Sequence, residues 1–306
     1  MASGGTKAIV AALFANLGIA VAKFVGFLVT RSSSMLAESV HSVADSGNQA
    51  LLLLGGRMAR RPESEERPFG HGRERYFWSF VVAVVLFALG AVFSLGEGFT
   101  KLREPHEPES LGIAIGILVV AIILEAFSFR TAIIESNRTR GGESWWGFIR
   151  HSRNPELPVV LLEDLGAQVG LVLALIGVVL AKFVAPVFDA YATLAIGTLL
   201  GVIAVILAVE MKSLLIGESA RASDVIAIRA AIEETPEIDR VIHMRTMHVG
   251  PDELFVGAKV ELDPELTFDQ VARTINATEQ RIRERCPLVG ILYLEPDVYS
   301  PDSSRR

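Results

Sequence analysis

Apolar residues fall along this chain in long unbroken runs, not in the short amphipathic stripes of a soluble fold. Crossing the hydrocarbon core of a bilayer as a helix takes about 20 mostly apolar residues. Six segments meet that length, at roughly 8–30, 34–56, 76–99, 111–134, 158–182 and 188–216. The first is not read as a cleavable leader, because it is too long, contains Asn16 and Lys23, and lacks a small-residue cleavage site. Six spans put both termini on one side of the membrane.

After Gly217 the texture becomes that of a soluble domain, which sets expected domains at 1–217 and 218–306. Ser223 is placed to cap a helix that Pro236 stops, at about Thr235. Residues 241–249 read as a strand, and Gly250-Pro251-Asp252 as a turn. Leu254, Val256, Ala258, Val260 and Leu262 then alternate with more polar neighbours, the pattern of a half-buried strand. Thr267 with Gln270 forms a capping box for a helix to about Arg285, and 289–294 makes a last strand. The order α-β-β-α-β predicts helices packed on one face of a small sheet. The fold class expected is an all-α six-helix transmembrane bundle followed by a small α+β cytosolic domain.

Composition agrees: 51% of the 306 residues are hydrophobic, and the mean hydropathy is +0.42. The single cysteine, Cys286, excludes a disulfide framework and a Cys-rich metal site. The net charge of -6 lies wholly in the tail. No basic patch suited to nucleic acid and no nucleotide-binding glycine loop is present. The segment 57–75 carries Arg57, Arg60, Arg61, Arg67, Arg73 and Arg75, and 135–157 carries Arg138, Arg140, Arg150 and Arg153. The opposite loops offer only Arg31, Lys101, Arg103 and Lys182, so the positive-inside bias predicts cytosolic termini. Tyr76, Trp78, Trp145 and Trp146 are expected at the inner interface.

The chemistry sits inside the membrane. The second span contains Glu38, His41, Asp45 and Asn48, whose spacing puts them on one helical face. The fifth contains Glu163, Asp164 and Gln168, with Asp164 and Gln168 one turn apart. A charge at mid-bilayer costs roughly 2.5–3.5 kcal/mol on insertion scales, so such residues must face protein, water or a ligand. Imidazole nitrogen with carboxylate oxygen from two helices suits a divalent cation such as zinc. His41, Asp45 and Asp164 are therefore the expected metal ligands. Asn16, Ser39, Ser46 and Gln49 read as interhelical hydrogen-bonding residues, Lys23 as a neutralising charge, and Glu97 and Glu125 as either packing or gating groups.

The segment from Ser34 through Glu38, His41 and Asp45 resembles the second helix of the cation diffusion facilitator transporters. Pro68-Phe69-Gly70-His71-Gly72-Arg73-Glu74-Arg75 resembles the loop that follows it in that family, and Ile216-Gly217-Glu218-Ser219-Ala220 its junction to the cytosolic domain. Tyr76-Phe77-Trp78 and Glu163-Asp164 are similar to the branch that includes mitochondrial zinc exporters and bacterial relatives. The resemblance implies a ferredoxin-like tail and a homodimer formed through it. It implies efflux of a divalent cation, zinc first and manganese, iron, cobalt or cadmium as alternatives, in exchange for protons, with no resident cofactor.

In the family two ligands come from the second helix and two from the fifth. Three carry over to His41, Asp45 and Asp164, while the fourth position is Val160, so the shell is incomplete or is filled by Glu163, Asn48, Gln168 or water, with the side chains among these also able to carry protons. Glu163 lies about 100° around the helix from Asp164. In the loop, His71 keeps a metal-binding position but its usual partners are Ser64 and Arg67. In the tail the family's metal positions fall on Ile242, Lys259, Tyr293 and Glu295, which cannot build that site, and His243 and His248 are expected on opposite faces of a strand. A membrane-embedded metal sensor or scaffold, and an intramembrane metalloenzyme, are the competing classes. Neither a His-Glu-x-x-His nor a Gly-x-Ser-x-Gly motif supports the last. The host is expected to be a bacterial plasma membrane, since the start of the chain does not read as a transit peptide.

Overall fold

The computed structural model describes the backbone of residues 3–30, 33–104 and 111–300. It describes their side chains too, except those of 3–8, 23, 26–27, 29–30, 33–42, 44–45, 85–87 and 89. The chain forms two compact units, Met1–Met58 with Glu74–Lys212 and Ala59–Arg73 with Ser213–Arg306.

The first unit is helical. Its elements are α1 (Ser3–Thr30), α2 (Ser33–Met58), α3 (Glu74–Val81), a π segment (Val82–Phe87), α4 (Ala88–Arg103), α5 (Leu111–Arg140), α6 (Trp145–His151), α7 (Glu156–Phe183) and α8 (Val187–Ile216). Helix covers every segment expected to span. Among the described residues three helices, α5, α7 and α8, are long and apolar enough to cross a membrane, with a shorter apolar stretch at Ile9–Ala22. The third expected span is helical from Glu74 to Arg103 but is interrupted by the π turn, a wider coil that appears mostly as single-turn bulges inside α-helices. The short helix α6 was not foreseen. Ser144 starts it by accepting a hydrogen bond from the Gly147 amide at 3.0 Å.

Small residues let the helices approach. A Cβ on Gly98 would meet Leu194, one on Gly197 would meet Leu95, and one on Gly166 would meet Ile203. These contacts draw α4 and α7 onto α8, as small residues do in membrane bundles. Tyr76 corrects an expectation: it is fully buried in the core and takes no part in an interfacial belt. Trp78 is half-buried, packs on Gly55 of α2 and donates its indole N–H to Glu74 at 3.2 Å.

A buried ion pair fixes the start of α7. Arg75 of α3 donates from Nε and Nη2 to the two carboxylate oxygens of Glu156, at 2.7 and 2.8 Å. Its Nη2 also donates to Asn154 Oδ1 at 3.2 Å, and the same oxygen accepts the Glu156 amide at 3.3 Å. Both charged side chains are buried.

The second unit has α9 (Ala222–Glu233), β1 (Ile238–Gly250), β2 (Glu253–Leu262), α10 (Phe268–Arg285) and β3 (Val289–Pro296). β1 pairs antiparallel with β2, and β2 pairs parallel with β3, which places β2 in the centre. Leu254, Val256, Ala258 and Val260 point into a core shared with Ile228, Ile232 and Ile282. The capping box of Thr267 and Gln270 is present. Ser223 is not the cap of α9: the helix already begins at Ala222, with Arg221 before it, so Ser223 lies within the first turn. Cys286 is buried in the core, and burial pushes its thiol above its ordinary value. Lys259 bonds Asp297 at 2.7 Å and Glu295 at 2.9 Å. The bond to Asp297 chiefly raises Lys259 and lowers Asp297 relative to their ordinary values.

The segment 59–73 folds onto this sheet as a strap. Ser64 and Arg67 exchange backbone hydrogen bonds of 3.3 and 3.0 Å, and Gly70 turns the chain at φ 71°. Phe69 meets the edge of Phe255 with ring centres 6.3 Å apart. Gly72 lies so close to β1 that a Cβ would stand 2.8 Å from the Val249 carbonyl oxygen and 2.9 Å from Gly250 Cα. Burial first, and then the charge of Glu63 on the strap, raise the Glu253 carboxyl above its ordinary value.

Two outcomes follow. Arg75→Met alone strands Glu156 and is expected to destabilise by about 3–5 kcal/mol, whereas adding Glu156→Leu recovers most of that; thermal unfolding in detergent checks both. A raised Glu253 value means that ionisation works against the docked strap. Its contribution is complete below the ordinary glutamate value of about 4.3 and is lost as pH rises through the higher folded value. Amide exchange at Gly70 and Gly72 should therefore quicken across that rise, and Glu253→Gln should flatten the dependence.

Candidate metal centre

α2 and α7 carry the expected ligands. The side chains of Glu38, His41 and Asp45 lie outside the described residues; their backbone is helical, within α2. Helical periodicity places positions 41, 45 and 48 on one face of it.

α7 presents two adjacent acids in different directions. Asp164 is 1% exposed and accepts a hydrogen bond from Ser128 Oγ of α5 at 2.8 Å. Glu125 of α5, also buried, is near enough for its charge to act on Asp164. Glu163 turns instead to α2. Its Oε1 accepts Asn48 Nδ2 at 3.0 Å and Gln49 Nε2 at 2.7 Å. Gln49 Oε1 in turn accepts Asn16 Nδ2 of α1 at 3.4 Å. One carboxylate thus joins three helices through amides that would otherwise be buried without partners. The roughly 100° between successive residues of a helix, which seemed to take Glu163 away from the site, is what carries it to α2 while Asp164 meets α5.

Val160 is fully buried and offers no donor atom. Gln168 is half-buried, and its Oε1 accepts no hydrogen bond among the described residues. The same holds for Asn48 Oδ1. Sequence reading missed Ser128 and the Gln49 bond to Glu163, although Ser128 stands one turn after Glu125 (i, i+3) on an otherwise apolar helix.

The other expected positions are scattered. Among the described residues no group of three His, Cys, Asp or Glu side chains is arranged to hold a metal. His71 lies in the strap, half-buried. In β1, His243 is half-buried, and His248 is buried with Nδ1 3.4 Å from the Gly250 carbonyl. In the tail, Lys259 Nζ pairs with Glu295 at 2.9 Å.

Apolar helices long enough to cross a membrane, two of them carrying buried carboxylates, joined to a small α+β unit, define the class: a helical membrane protein with a soluble domain. Comparison with known proteins makes this specific. The family model described as the cation efflux transmembrane domain matches residues 9–216, and that of the cation efflux protein cytoplasmic domain matches 220–292. The chain belongs to the cation efflux, or cation diffusion facilitator, family, which is one of transporters and not of enzymes. Similar proteins include the mitochondrial proton-coupled zinc antiporter of Xenopus laevis, 32% identical over 245 residues, covering 79% of this chain and 44% of that protein. The mouse antiporter is 30% identical over 244 residues, covering 79% of this chain and 43% of that protein. Metal tolerance protein C4 of Arabidopsis thaliana is 26% identical over 276 residues, covering 89% of this chain and 60% of that protein. The chain thus spans less than half the length of the two antiporters. Among solved structures the MamM C-terminal domain is similar, at 22% identity and a TM-score of 0.24, covering 25% of this chain and 96% of that one.

Glu163→Leu removes the acceptor of two buried amides. An unsatisfied buried group costs about 1–3 kcal/mol, so this change, which strands the Asn48 and Gln49 amides, is expected to lower thermal stability in detergent more than Gln49→Leu, which leaves Glu163 its Asn48 bond and strands only the Asn16 amide.

Proposed function

We propose that the chain is a secondary transporter that exports a divalent metal cation, zinc first, in exchange for protons. The observation that carries this reading is the pair of buried acids, Glu163 and Asp164, within an apolar helix long enough to span, in a region matched by the cation efflux transmembrane model. Acids in such a place mark an ion path by default.

In this reading His41 and Asp45 of α2 with Asp164 of α7 hold the ion, and Glu163, Asn48, Gln168 or water completes the shell or carries protons. Two carboxylates and a neutral imidazole balance a divalent charge. Protons compete for the same atoms, so affinity falls with acidity, and an imidazole titrating near 6.5 suits release into an acidic space. Helix movement then exposes the site to one side at a time. Zinc is favoured by imidazole ligation and by the names of the similar antiporters; manganese, iron, cobalt and cadmium stay within reach of the same donors.

The architecture proposed is six spans, with a transmembrane domain to about Gly217, a cytosolic domain after it, and a homodimer formed through that domain. The Arg-rich loops support cytosolic termini, and the match to the cytoplasmic-domain model supports dimerisation. The bacterial magnetosome protein MamB, among the similar proteins, supports a bacterial host, for which we propose the plasma membrane.

Purified protein in liposomes tests the reading. Zinc uptake should drive proton counterflow, vanish in Asp45→Ala and Asp164→Ala, and rise as pH on the metal side increases. Zinc binding without flux would leave a sensor or scaffold.

A further inference from the structure

Between Asn137 and Asn154 the chain carries four arginines and a single acid, Glu143. This segment joins α5 to α7, two helices each long and apolar enough to cross a membrane, so it emerges where the bilayer meets water. Gly141 and Gly142, at φ 62° and 95°, turn the chain sharply out of α5, and α6 follows. Phe148 and Ile149 are buried and seat α6 on the bundle. Trp146, 54% exposed, and Arg150, with its side chain 57% exposed, stand one turn apart (i, i+4) on the same face. Trp145 is exposed too, and the Arg140 guanidinium lies over its ring at 4.3 Å. Arg140 donates from Nη1 to the Glu143 carbonyl at 2.7 Å and from Nη2 to Asn137 Oδ1 at 2.9 Å, which holds the stack in place. Both acceptors are neutral, so these bonds do not cancel its charge. Arg138 is 66% exposed beside Glu135, and Arg150 Nε lies 3.6 Å from Glu210 of α8.

We propose that α6 and the turn before it form a docking surface for anionic phospholipid headgroups. Trp145 and Trp146 lie at headgroup depth, and Arg138, Arg140 and Arg150 meet the lipid phosphates. The inference rests on α5 and α7 spanning the bilayer, and not on the cation site. An indole suits that depth, because its ring faces the acyl boundary while its N–H stays on the wet side. Arginine presents a planar fork of donors that matches phosphate oxygens. A zwitterionic headgroup offers the same phosphate but carries its own ammonium, so the excess of guanidinium charge selects lipids of net negative charge. Each arginine near an anionic surface is worth about fivefold in partitioning.

Full-length protein reconstituted in phosphatidylcholine vesicles containing phosphatidylglycerol tests this by tryptophan fluorescence, with bromine on the acyl chains of one lipid or the other. The chain has three tryptophans, and the double change Trp145→Phe with Trp146→Phe measures what Trp78 contributes. Quenching of the remaining signal should show phosphatidylglycerol preferred over phosphatidylcholine by about fivefold or more. About 1 M salt, which shortens screening to about 3 Å, should bring the preference close to one, a readout that needs no variant. Arg138→Gln with Arg150→Gln should reduce it by about fivefold. Arg273→Gln with Arg283→Gln on α10 removes the same charge elsewhere and should leave it unchanged. No preference in the wild type, persistence in salt, an unchanged preference without Arg138 and Arg150, or an equal loss in the α10 variant would overturn the proposal. So would quenching by neither lipid in protein that floats with the vesicles, since a protein surface such as a second copy of the chain would then cover α6.

Discussion

A carboxylate inside an apolar helix must find hydrogen-bond donors within the protein, because the surrounding hydrocarbon supplies none. Glu163 meets that constraint by gathering amides from α2, and Gln49 passes the connection on to α1. Three helices are thereby held by polar contacts where apolar packing gives little preference for one arrangement over another. Asp164, next in sequence, answers the same constraint through Ser128 on α5. Two neighbouring acids thus tie α7 to two different helices, α2 and α5. On the proposed reading the ion path would run through the same groups that fix helix positions, which would couple cation binding to helix arrangement.

The pair of Arg75 and Glu156 shows the same economy at the start of α7. Its two bonds fit the planar guanidinium. Glu156 and Glu163 stand two turns apart on one side of the helix, with Val160 between them. A single face of α7 therefore carries its connection to α3 at one level and its connection to α2 at another.

Much of this was legible in the sequence. The apolar runs marked where helices form, and the alternation at 254–262 and the Thr267 box marked the soluble unit element by element. The acids were legible as groups that need partners inside the protein, because burying an uncompensated charge is costly. What could not be read was direction. Spacing along α7 says that Glu163 and Asp164 point about 100° apart, but only the packing of α1, α2 and α5 says which faces which. Tyr76 failed for a related reason: an aromatic near a span end reads as interfacial, and its burial depends on neighbours distant in sequence. The π turn at Val82–Phe87 occurs in an ordinary run of apolar residues, which carries no local sign of it. Arg75 was counted as one more loop charge because nothing in the sequence ties it to Glu156.

The second unit is assembled from two pieces that are far apart in the chain. The strap that lays Phe69 and Gly72 on the sheet is synthesised long before β1 and β2 exist. At translation rates of 5–20 residues per second the delay is on the order of ten seconds. During that interval helices from α3 onward are being threaded into the bilayer while the strap waits in water with its aromatic side chain uncovered. The unit thus closes only after β3 has been made, and a ribosome that stalls before that strand leaves a helical bundle whose strap has no sheet to rest on.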